Sequence, residues 1–232
     1  MSIGYDNLDI NHNIVLDLPF DEGIGTIASG RSKNHYSFTL TGAPAAYVIP
    51  ASGLNVLDFT AGTPDFLEAA IADVGDLDFT NEDFSLNFWI NPDTLVGDLE
   101  LLCHGLDATD GYDVRCLANG SVVFSSNQAA AQQQIISAVG MVVINTWQNI
   151  GISRSGTLVE IFKNGEESAY VAQPVIINPL TSARKVLVGV YDDETTYPWS
   201  QYMSRPRAWL NRQLTKGNHR FIWDTERNLY GV

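Results

Sequence analysis

Alternation of large apolar and polar side chains is the clearest pattern in this chain, and it is strongest over 84–91. Phe84, Leu86, Phe88 and Ile90 fall on one side of an extended strand, and the residues between them fall on the other. Burying side chains of this size is worth about 1.5–3 kcal/mol each relative to leaving them exposed. The pattern therefore predicts a central strand with one face on the core.

Shorter runs with the same two-residue period recur along the chain, separated by turn residues about every 8–12 positions. The other predicted strands are 14–20, 37–42, 54–60, 65–70, 99–104, 112–117, 122–126, 134–137, three strands within 147–170, 185–191 and 202–210. This spacing favours an all-β, antiparallel two-sheet sandwich or jelly roll over alternating strands and helices. Two segments are predicted to be irregular: 42–53, which contains two prolines, and the low-complexity run 128–134.

Two Asn-Gly pairs mark tight turns between such runs, at Asn164-Gly165 and at Asn119-Gly120. Both residue types tolerate the positive φ that a type I′ turn requires, so each pair predicts a β-hairpin. One short helix is predicted after Thr215, which is a suitable N-cap, because apolar residues then recur at helical spacing until Gly231.

The chain has 232 residues, of which 45% are hydrophobic and 17% charged, and this predicts one folded domain. We place the domain at 14–232, after an N-terminal arm at 1–13 that is polar and without periodicity. The formal net charge of −14 repels phosphate backbones and argues against a nucleic-acid partner. The first twenty residues lack the features of a signal peptide, and no run of about 18 apolar residues predicts membrane insertion.

The cysteines and histidines do not form a recognisable site. Cys103 and Cys116 lie on two arms of a predicted hairpin around 107–111, but they are not opposite each other, so two free, half-buried thiols are expected. The four histidines lack metal-ligand spacing and are predicted to be surface or turn residues: His12, His35, His104 and His219.

Five segments in order resemble a known family. They are FSLNFWINPDTL, GYDVRCLANGSVVFSS, NTWQNIGISRSGTLVEIFKNGE, KVLVGV and MSRPRAWLNRQLT. This order is similar to the laminin G-like jelly rolls of the concanavalin A-like lectin/glucanase superfamily, over about 14–230. The resemblance implies the sandwich with its short C-terminal helix, but this fold carries many functions and leaves the activity open.

Two expectations follow for the sites of such relatives. The glucanase branch carries an E-x-D-x-x-E strand whose alternate acids perform retaining hydrolysis, and this chain has no such run, so it is predicted not to be an enzyme. Calcium-binding relatives use acids at positions that match Gly30 and Ser204 here, so the usual calcium site is predicted to be lost, and no cofactor is expected. The alternative is that Asp21, Glu22 or the acids at 192–194 replace the missing ligands.

Two loops combine aromatic rings with planar polar groups, which is the mixture that sugar-binding sites use: 104–112 and 191–202. The candidate ligand-binding residues are His104, Asp107, Asp110, Tyr112, Asp192, Asp193, Glu194, Tyr197 and Trp199. For Trp199 the alternative is packing inside the sandwich. Trp89, opposite the apolar stripe, either lines a concave sheet or lies under a loop.

These features predict a non-catalytic recognition or structural module. A place on the surface of a virion or another particle, as a decoration or tail-associated protein, ranks slightly above a free, extracellular carbohydrate-binding module, and a glycoside hydrolase ranks last. The predicted partners are a glycan or other protein subunits of a particle, with a homo-oligomer as a further option. The arm at 1–13 would then be a tether that orders against a neighbouring subunit.

Overall fold

The computed structural model of the chain describes residues 5, 8–23, 25–60 and 64–232, and over these residues it contains seventeen strands and one α-helix. The elements are β1 (Ile14–Asp17), β2 (Ile27–Ser29), β3 (Ser37–Thr41), β4 (Ala45–Val48), β5 (Asn55–Phe59), β6 (Phe66–Ala69), β7 (Phe84–Asn91), β8 (Leu99–Leu106), β9 (Asp110–Cys116), β10 (Val122–Gln128), β11 (Ala131–Ser137), β12 (Gln148–Ser155), β13 (Leu158–Lys163), β14 (Glu166–Glu167), β15 (Tyr170–Ala172), β16 (Val186–Val188), β17 (Gln201–Leu210) and α1 (Lys216–Glu226). Short 3₁₀ turns lie at Asp9–Asn11, Ile71–Asp73, Gly75–Leu77 and Arg227–Leu229.

The strands form two antiparallel sheets. Sheet A has the order β14-β13-β12-β7-β17-β5-β4, with β1 also paired to β17. Sheet B has the order β15-β11-β10-β9-β8-β16-β6-β3-β2. The predicted all-β, two-sheet jelly-roll sandwich with a short C-terminal helix is confirmed.

The core lies between the sheets and is built on β7, which pairs with β12 on one side and β17 on the other. Phe84, Leu86, Phe88 and Ile90 are all fully buried in it, as the alternation of the sequence predicts. Phe84 packs against Phe124 on β10 and Tyr112 on β9, with centroid distances of 5.7 and 5.9 Å, and so joins β7 to aromatic side chains of sheet B. The central strand is therefore where the two layers meet.

The outer face of β7 is also buried, because α1 packs on it. Trp89 is fully buried there, and its ring stacks on Tyr230 with centroids 3.9 Å apart. Its Nε1 donates a hydrogen bond of 2.8 Å to Glu226 on α1. Trp89 thus lies under the C-terminal helix and the turn that follows it, and it does not line an open concave sheet.

The helix begins where the sequence predicts. The Thr215 hydroxyl accepts from the N–H of Asn218, and the Asn218 amide oxygen accepts from the N–H of Thr215, which is a reciprocal capping arrangement. His219 lies on the docked face, fully buried, and contradicts the prediction of a surface histidine. None of the described helices has the length and apolar character that crossing a membrane requires.

The two Asn-Gly turns differ. Asn164 and Gly165 have φ of 54° and 79°, and they join β13 to β14 as the predicted type I′ turn. At Asn119-Gly120 only the glycine has positive φ, at 78°, and the N–H of Gly120 donates to Leu117 O at 2.8 Å. Residues 117–121 join β9 to β10, and the type I′ prediction is wrong at this turn because Asn119 does not have positive φ.

Two segments predicted to be irregular contain strands. Residues 42–53 include β4, which is an edge strand between Pro44 and Pro50, where a missing backbone donor is tolerated. Within residues 128–134, Gln128 ends β10, residues 129–130 form the turn, and residues 131–134 begin β11, which pairs with β10. Low sequence complexity therefore did not prevent pairing, because a neighbouring strand supplied the partners.

The described part of the predicted N-terminal arm packs on the domain instead of standing apart from it. The Trp209 indole donates to Ile10 O at 2.8 Å, and Arg212 Nη1 donates to His12 O at 2.8 Å. Tyr5 also packs against the apolar cluster that Trp209 forms with α1. The rest of the predicted arm, residues 1–4 and 6–7, lies outside the described residues.

Both cysteines are free, as expected, but they are fully buried and not half-buried. Cys103 lies opposite Asp113, and Cys116 lies opposite Leu99, so the register of β8 and β9 keeps the two thiols apart. Burial raises the pKa of both thiols, which makes them poor nucleophiles.

Candidate functional site

The two predicted binding loops converge on the outer face of sheet B. One is the turn between β8 and β9, and the other is the connection between β16 and β17, residues 189–200. The N–H of Asp107 donates to the Tyr191 hydroxyl at 2.8 Å, and the N–H of Glu100 donates to Tyr197 O at 2.8 Å. We call the resulting surface the loop surface, and its exposed or half-buried members are Asp107, Asp110, Asp192, Asp193, Glu194 and Tyr197.

Two basic side chains fix the acids of the loop surface. Arg184 bridges the two loops, at 3.3 Å from Asp110 and 2.6 Å from Asp192. Lys185 binds Glu194 at 2.7 Å and also Glu68 on β6. The ion pairs therefore hold these acids in defined positions. The carboxylate oxygens that take no part in an ion pair remain available to a ligand.

Asp193 shapes the loop itself. Its carboxylate accepts from the N–H groups of Thr195 and Thr196, at 2.9 and 2.6 Å, and from the Thr196 hydroxyl. Partial burial opposes ionisation, but these hydrogen bonds outweigh it and lower the pKa of Asp193. Asp193 is thus charged at neutral pH and exposed at the tip of the loop.

Tyr197 is the aromatic member of the loop surface. Its ring meets Tyr191 edge to face, with centroids 5.7 Å apart, and the Arg115 guanidinium lies 5.4 Å from its centroid. Tyr197 and Glu194 both have positive φ, at 53° and 61°. Such backbone conformations are costly for residues other than glycine and are concentrated at functional loops.

Three predicted site residues are buried and do not contribute to this surface. Trp199 packs in the core, which is the alternative that the sequence left open. His104 and Tyr112 are directly opposite each other on the inner face of β8 and β9. His104 Nε2 lies 3.1 Å from Asp78, and the Tyr112 hydroxyl donates to Leu77 O at 2.8 Å. The prediction that they bind a ligand is wrong, and so is the prediction of a surface histidine at 104; His12 and His35 are exposed as expected.

A charged cluster that the sequence did not reveal lies beneath the loop surface. Glu100 on β8 is opposite Arg115 on β9, and Asp113 lies two residues earlier on the same face of β9. Both carboxylates are fully buried and, within the described residues, accept no hydrogen bond. Arg115 Nη1 comes within 3.3 Å of Asp113 and 3.6 Å of Asp107.

The environment of this cluster favours protonated acids. Burial, with the nearby Asp113 charge, raises the pKa of Glu100 well above its usual range, although Arg115 opposes this. Burial likewise raises the pKa of Asp113 to about 6 against the attraction of Arg115. The alternation of LELLCHG and YDVRC could have placed these groups on one face, but a search for acids along a single strand misses a pair that spans two strands.

Residues 68–217, well over half of the chain, match the family model described as the concanavalin A-like lectin/glucanases superfamily. The chain belongs to this superfamily. No curated protein matches this concanavalin A-like domain in sequence.

Solved structures with the same fold include binding domains of clostridial toxins. The binding domain of Paraclostridial Mosquitocidal Protein 1 has a TM-score of 0.68 at 12% identity, covering 94% of this chain and 53% of its own. The botulinum neurotoxin DC binding domain in complex with rat synaptotagmin II has a TM-score of 0.64 at 13% identity, covering 94% of this chain and 52% of its own. A structure of botulinum neurotoxin type C, whose cell entry is dependent upon interaction with two ganglioside molecules, has a TM-score of 0.64 at 12% identity, covering 94% of this chain and 52% of its own. The concanavalin A-like domain spans about half of each matched chain.

Gly30 and Ser204, which match the positions of acidic calcium ligands in relatives, make other contacts in this member of the superfamily. A Cβ atom on Gly30 would lie 2.8 Å from Tyr36 O, so an aspartate does not fit there without movement of the backbone. Ser204 accepts a hydrogen bond of 3.0 Å from the Tyr230 hydroxyl. Of the proposed substitutes, Asp21 pairs with Arg31, and Glu22 accepts from the N–H of Ser29 at 2.6 Å. Over the described residues no three acids, histidines or cysteines gather as metal ligands, and the absence of calcium stays a prediction.

Proposed function

We propose that the chain is a non-catalytic recognition module that binds a glycan through the loop surface. One observation carries the proposal: two loops far apart in sequence converge, and together they present the ring of Tyr197 and carboxylates that Arg184 and Lys185 hold in place. The C–H faces of a sugar pack on an aromatic ring, and its hydroxyl groups donate to carboxylates at fixed positions.

The loop surface is organised before any ligand arrives. Arg184, Lys185 and the turn around Asp193 hold the acids, and backbone hydrogen bonds at Glu100 and Asp107 hold the two loops against β8 and β9. Binding then requires little additional ordering of side chains, which favours affinity at a shallow site. The toxin domains of the same fold include ones described in complex with a receptor protein or with gangliosides, which supports a recognition role.

The proposal that the chain is not an enzyme rests on which acids a bound sugar can reach. Three acids on this face have a raised pKa. Glu100 and Asp113 are fully buried beneath Tyr197 and its loop, and Asp192, which is half-buried, is paired with Arg184. A glycosidase needs one carboxylate against the leaving oxygen and one against the anomeric carbon or its water, so both acids must reach the sugar. The exposed acids of the loop surface are engaged in ion pairs or turns.

Placement on a virion or another particle surface is part of this proposal, and a free extracellular lectin is its alternative. A shallow, open surface binds a single sugar weakly, and display of many copies on one particle multiplies such weak contacts into firm attachment. Immunogold labelling of particles isolated from the source tests the placement. Regular labelling supports it, and label only in the particle-free fraction supports the free lectin.

Glycan binding is tested by probing a glycan array with the protein clustered on beads. Tyr197→Ala is expected to reduce the signal at least ten-fold because it removes the stacking ring. Asp193→Ala should reduce it similarly, and Asp193→Asn distinguishes loss of charge from loss of the turn, because the amide oxygen still accepts from Thr196. Asp224→Ala, at an exposed position of α1, is the control and should keep full signal. A signal unchanged by Tyr197→Ala would contradict the proposal.

A further inference from the structure

The charged cluster beneath the loop surface is joined to both loops that cover it. The N–H of Glu100 donates to Tyr197 O at 2.8 Å, and the Arg115 guanidinium lies 5.4 Å from the centroid of the Tyr197 ring. Arg115 Nη1 also lies 3.6 Å from Asp107, whose own N–H donates to the Tyr191 hydroxyl. A change in the charge of the cluster therefore acts directly on the contacts that anchor the two loops.

The charged cluster is poor in hydrogen bonds, which distinguishes it from a structural ion pair. Both carboxylate oxygens of Glu100, and Nε and Nη1 of Arg115, are buried and have no hydrogen-bond partner within the described residues. Asp113 approaches Arg115 Nη1 at 3.3 Å, without the geometry of a hydrogen bond. A buried carboxylate without donors is favoured in its protonated form, because the ionised form loses its hydration and gains no hydrogen bonds.

The loop over the cluster, residues 191–201, is held in a conformation that costs free energy. Three of its residues other than glycine have positive φ: Glu194 at 61°, Tyr197 at 53° and Gln201 at 73°. Such conformations persist only where the surrounding contacts hold them. The loop also leaves Trp199 Nε1 and Gln201 Oε1 buried, without a partner among the described residues. Its closed conformation therefore depends on the anchors at the charged cluster.

We propose that the charged cluster is a proton switch for the 191–201 loop, which is closed while Glu100 and Asp113 are protonated and opens when they ionise. Opening lets water reach the two carboxylates and releases the backbone strain at Tyr197. It also withdraws the Tyr197 ring and the acids of the loop from the loop surface. The effect on a ligand of that surface rests on the proposed function, whereas the movement of the loop does not.

The direction of the switch follows from the two acids in the closed state. Burial raises the pKa of Glu100 well above its usual range and that of Asp113 to about 6, with Arg115 opposing both changes. In the open loop the acids are hydrated and return to ordinary values. The additional stability of the closed loop is fully present below those ordinary values, and it is lost as the pH rises through the closed-state values. Each pKa unit between the two states changes the ratio of closed to open loop about ten-fold.

The neighbouring titratable and charged groups do not reverse this direction. They are Asp98, Cys103, Asp107, Cys116, Arg184, Tyr191, Asp192 and Tyr197. The charge of Asp107 raises the pKa of both buried acids further. Burial raises the pKa of the two thiols and of Tyr191, so these groups stay neutral up to pH 8. Asp192 is paired with Arg184, and the residue opposite Asp113 on β10 is the uncharged Ser125.

Hydrogen–deuterium exchange of the full chain tests the switch without any ligand. The amide of residue 100 is the first reporter, because its N–H donates to Tyr197 O and exchanges when the loop leaves. The amide of Trp199, which donates to Gly189 O at 2.7 Å, is the second reporter. Protection, corrected for the intrinsic effect of pH on exchange, is expected to fall about ten-fold or more between pH 5 and pH 8 at both amides. The amides of β7 should stay more protected than the reporters at pH 8.

The double variant Glu100→Gln with Asp113→Asn should have the same protection at both pH values, because neither side chain can ionise. The exposed Glu167→Gln is the matched control and should keep the fall of the unchanged protein. Each single substitution should reduce the fall, and these variants provide the comparison if the double variant does not fold. Protection that is independent of pH in the unchanged protein would overturn the proposal. So would an equal fall in the double variant, or equal protection of the reporters and β7, which would show that the loop opens only when the whole domain unfolds.

Discussion

Each outer face of the sandwich buries a cluster of arginines and acids, and the two clusters differ in their hydrogen bonds. On sheet A, Glu226 accepts from Arg205 at 2.8 Å, from Arg207 at 2.7 and 2.9 Å, and from Trp89 at 2.8 Å. Asp17 accepts from Arg205 at 2.9 Å. On sheet B, the carboxylates of Glu100 and Asp113 accept no hydrogen bond within the described residues, although Arg115 is close to both.

The pKa values of the two clusters move in opposite directions because of this difference. Burial opposes ionisation of Asp17 and Glu226, but their arginines and hydrogen-bond donors outweigh it and lower both pKa values. Burial prevails at Glu100 and Asp113, and their pKa values are raised. Burial alone therefore does not decide the state of an acid; the number of well-placed donors does.

Glu226→Ala is expected to have the largest effect on stability. It leaves Arg205 and Arg207 without their shared acceptor in a buried place, and breaking a buried pair of this kind costs about 3–5 kcal/mol. Urea unfolding measures the change. Asp224→Ala, which breaks an exposed pair with Arg220 one turn away, should change the stability very little. Equal, small losses for the two variants would show that solvent reaches the Glu226 cluster.

Gly151→Ala tests how closely α1 approaches sheet A. A Cβ atom at Gly151 would lie 2.3 Å from the buried His219 ring, which itself stacks on Phe162 at 4.2 Å. Overpacking of this kind costs about 1–3 kcal/mol.

The matched control for this change is Gly75→Ala, since an added Cβ there meets nothing within 4 Å. Both variants are compared by thermal unfolding. A loss at Gly75 as large as at Gly151 would indicate that backbone effects, and not the contact with His219, cause the change.

The sequence predicted the frame of the fold because strand alternation and turn chemistry are local. The core stripe of β7, the type I′ turn at Asn164 and the N-cap at Thr215 all depend on residues within a few positions. The same local rules failed for β4 and β11, where pairing with a neighbouring strand overrode prolines and low complexity.

The candidate sites were predicted only in part, because they depend on strand order. The sequence identified the loops of Asp107 and Asp193, yet it did not show that Arg184 joins them. It placed His104 in a binding loop, whereas alternation along β8 points that side chain inward. The acids Glu100 and Asp113 become neighbours only through the register of β8 with β9, and no spacing within one strand encodes that.

Glu100→Gln gives the smallest expected change, and it is a gain. Burial raises the folded pKa of Glu100 well above its usual range, and it raises that of Asp113 to about 6. The protonated acids therefore stabilise the fold at low pH, and this stability is lost as the pH rises through the folded values. At pH 8 the glutamate ionises readily in the unfolded chain, whereas burial opposes its ionisation in the fold, so the glutamine, which does not ionise, should make the domain more stable. At pH 4 the glutamate is already neutral, and the two proteins should be equally stable. Urea unfolding at both pH values measures this, with the exposed Glu167→Gln as the control. A loss of stability at pH 8 would mean that Glu100 is needed as a charged partner of Arg115, and that the two clusters are more alike than their hydrogen bonds indicate.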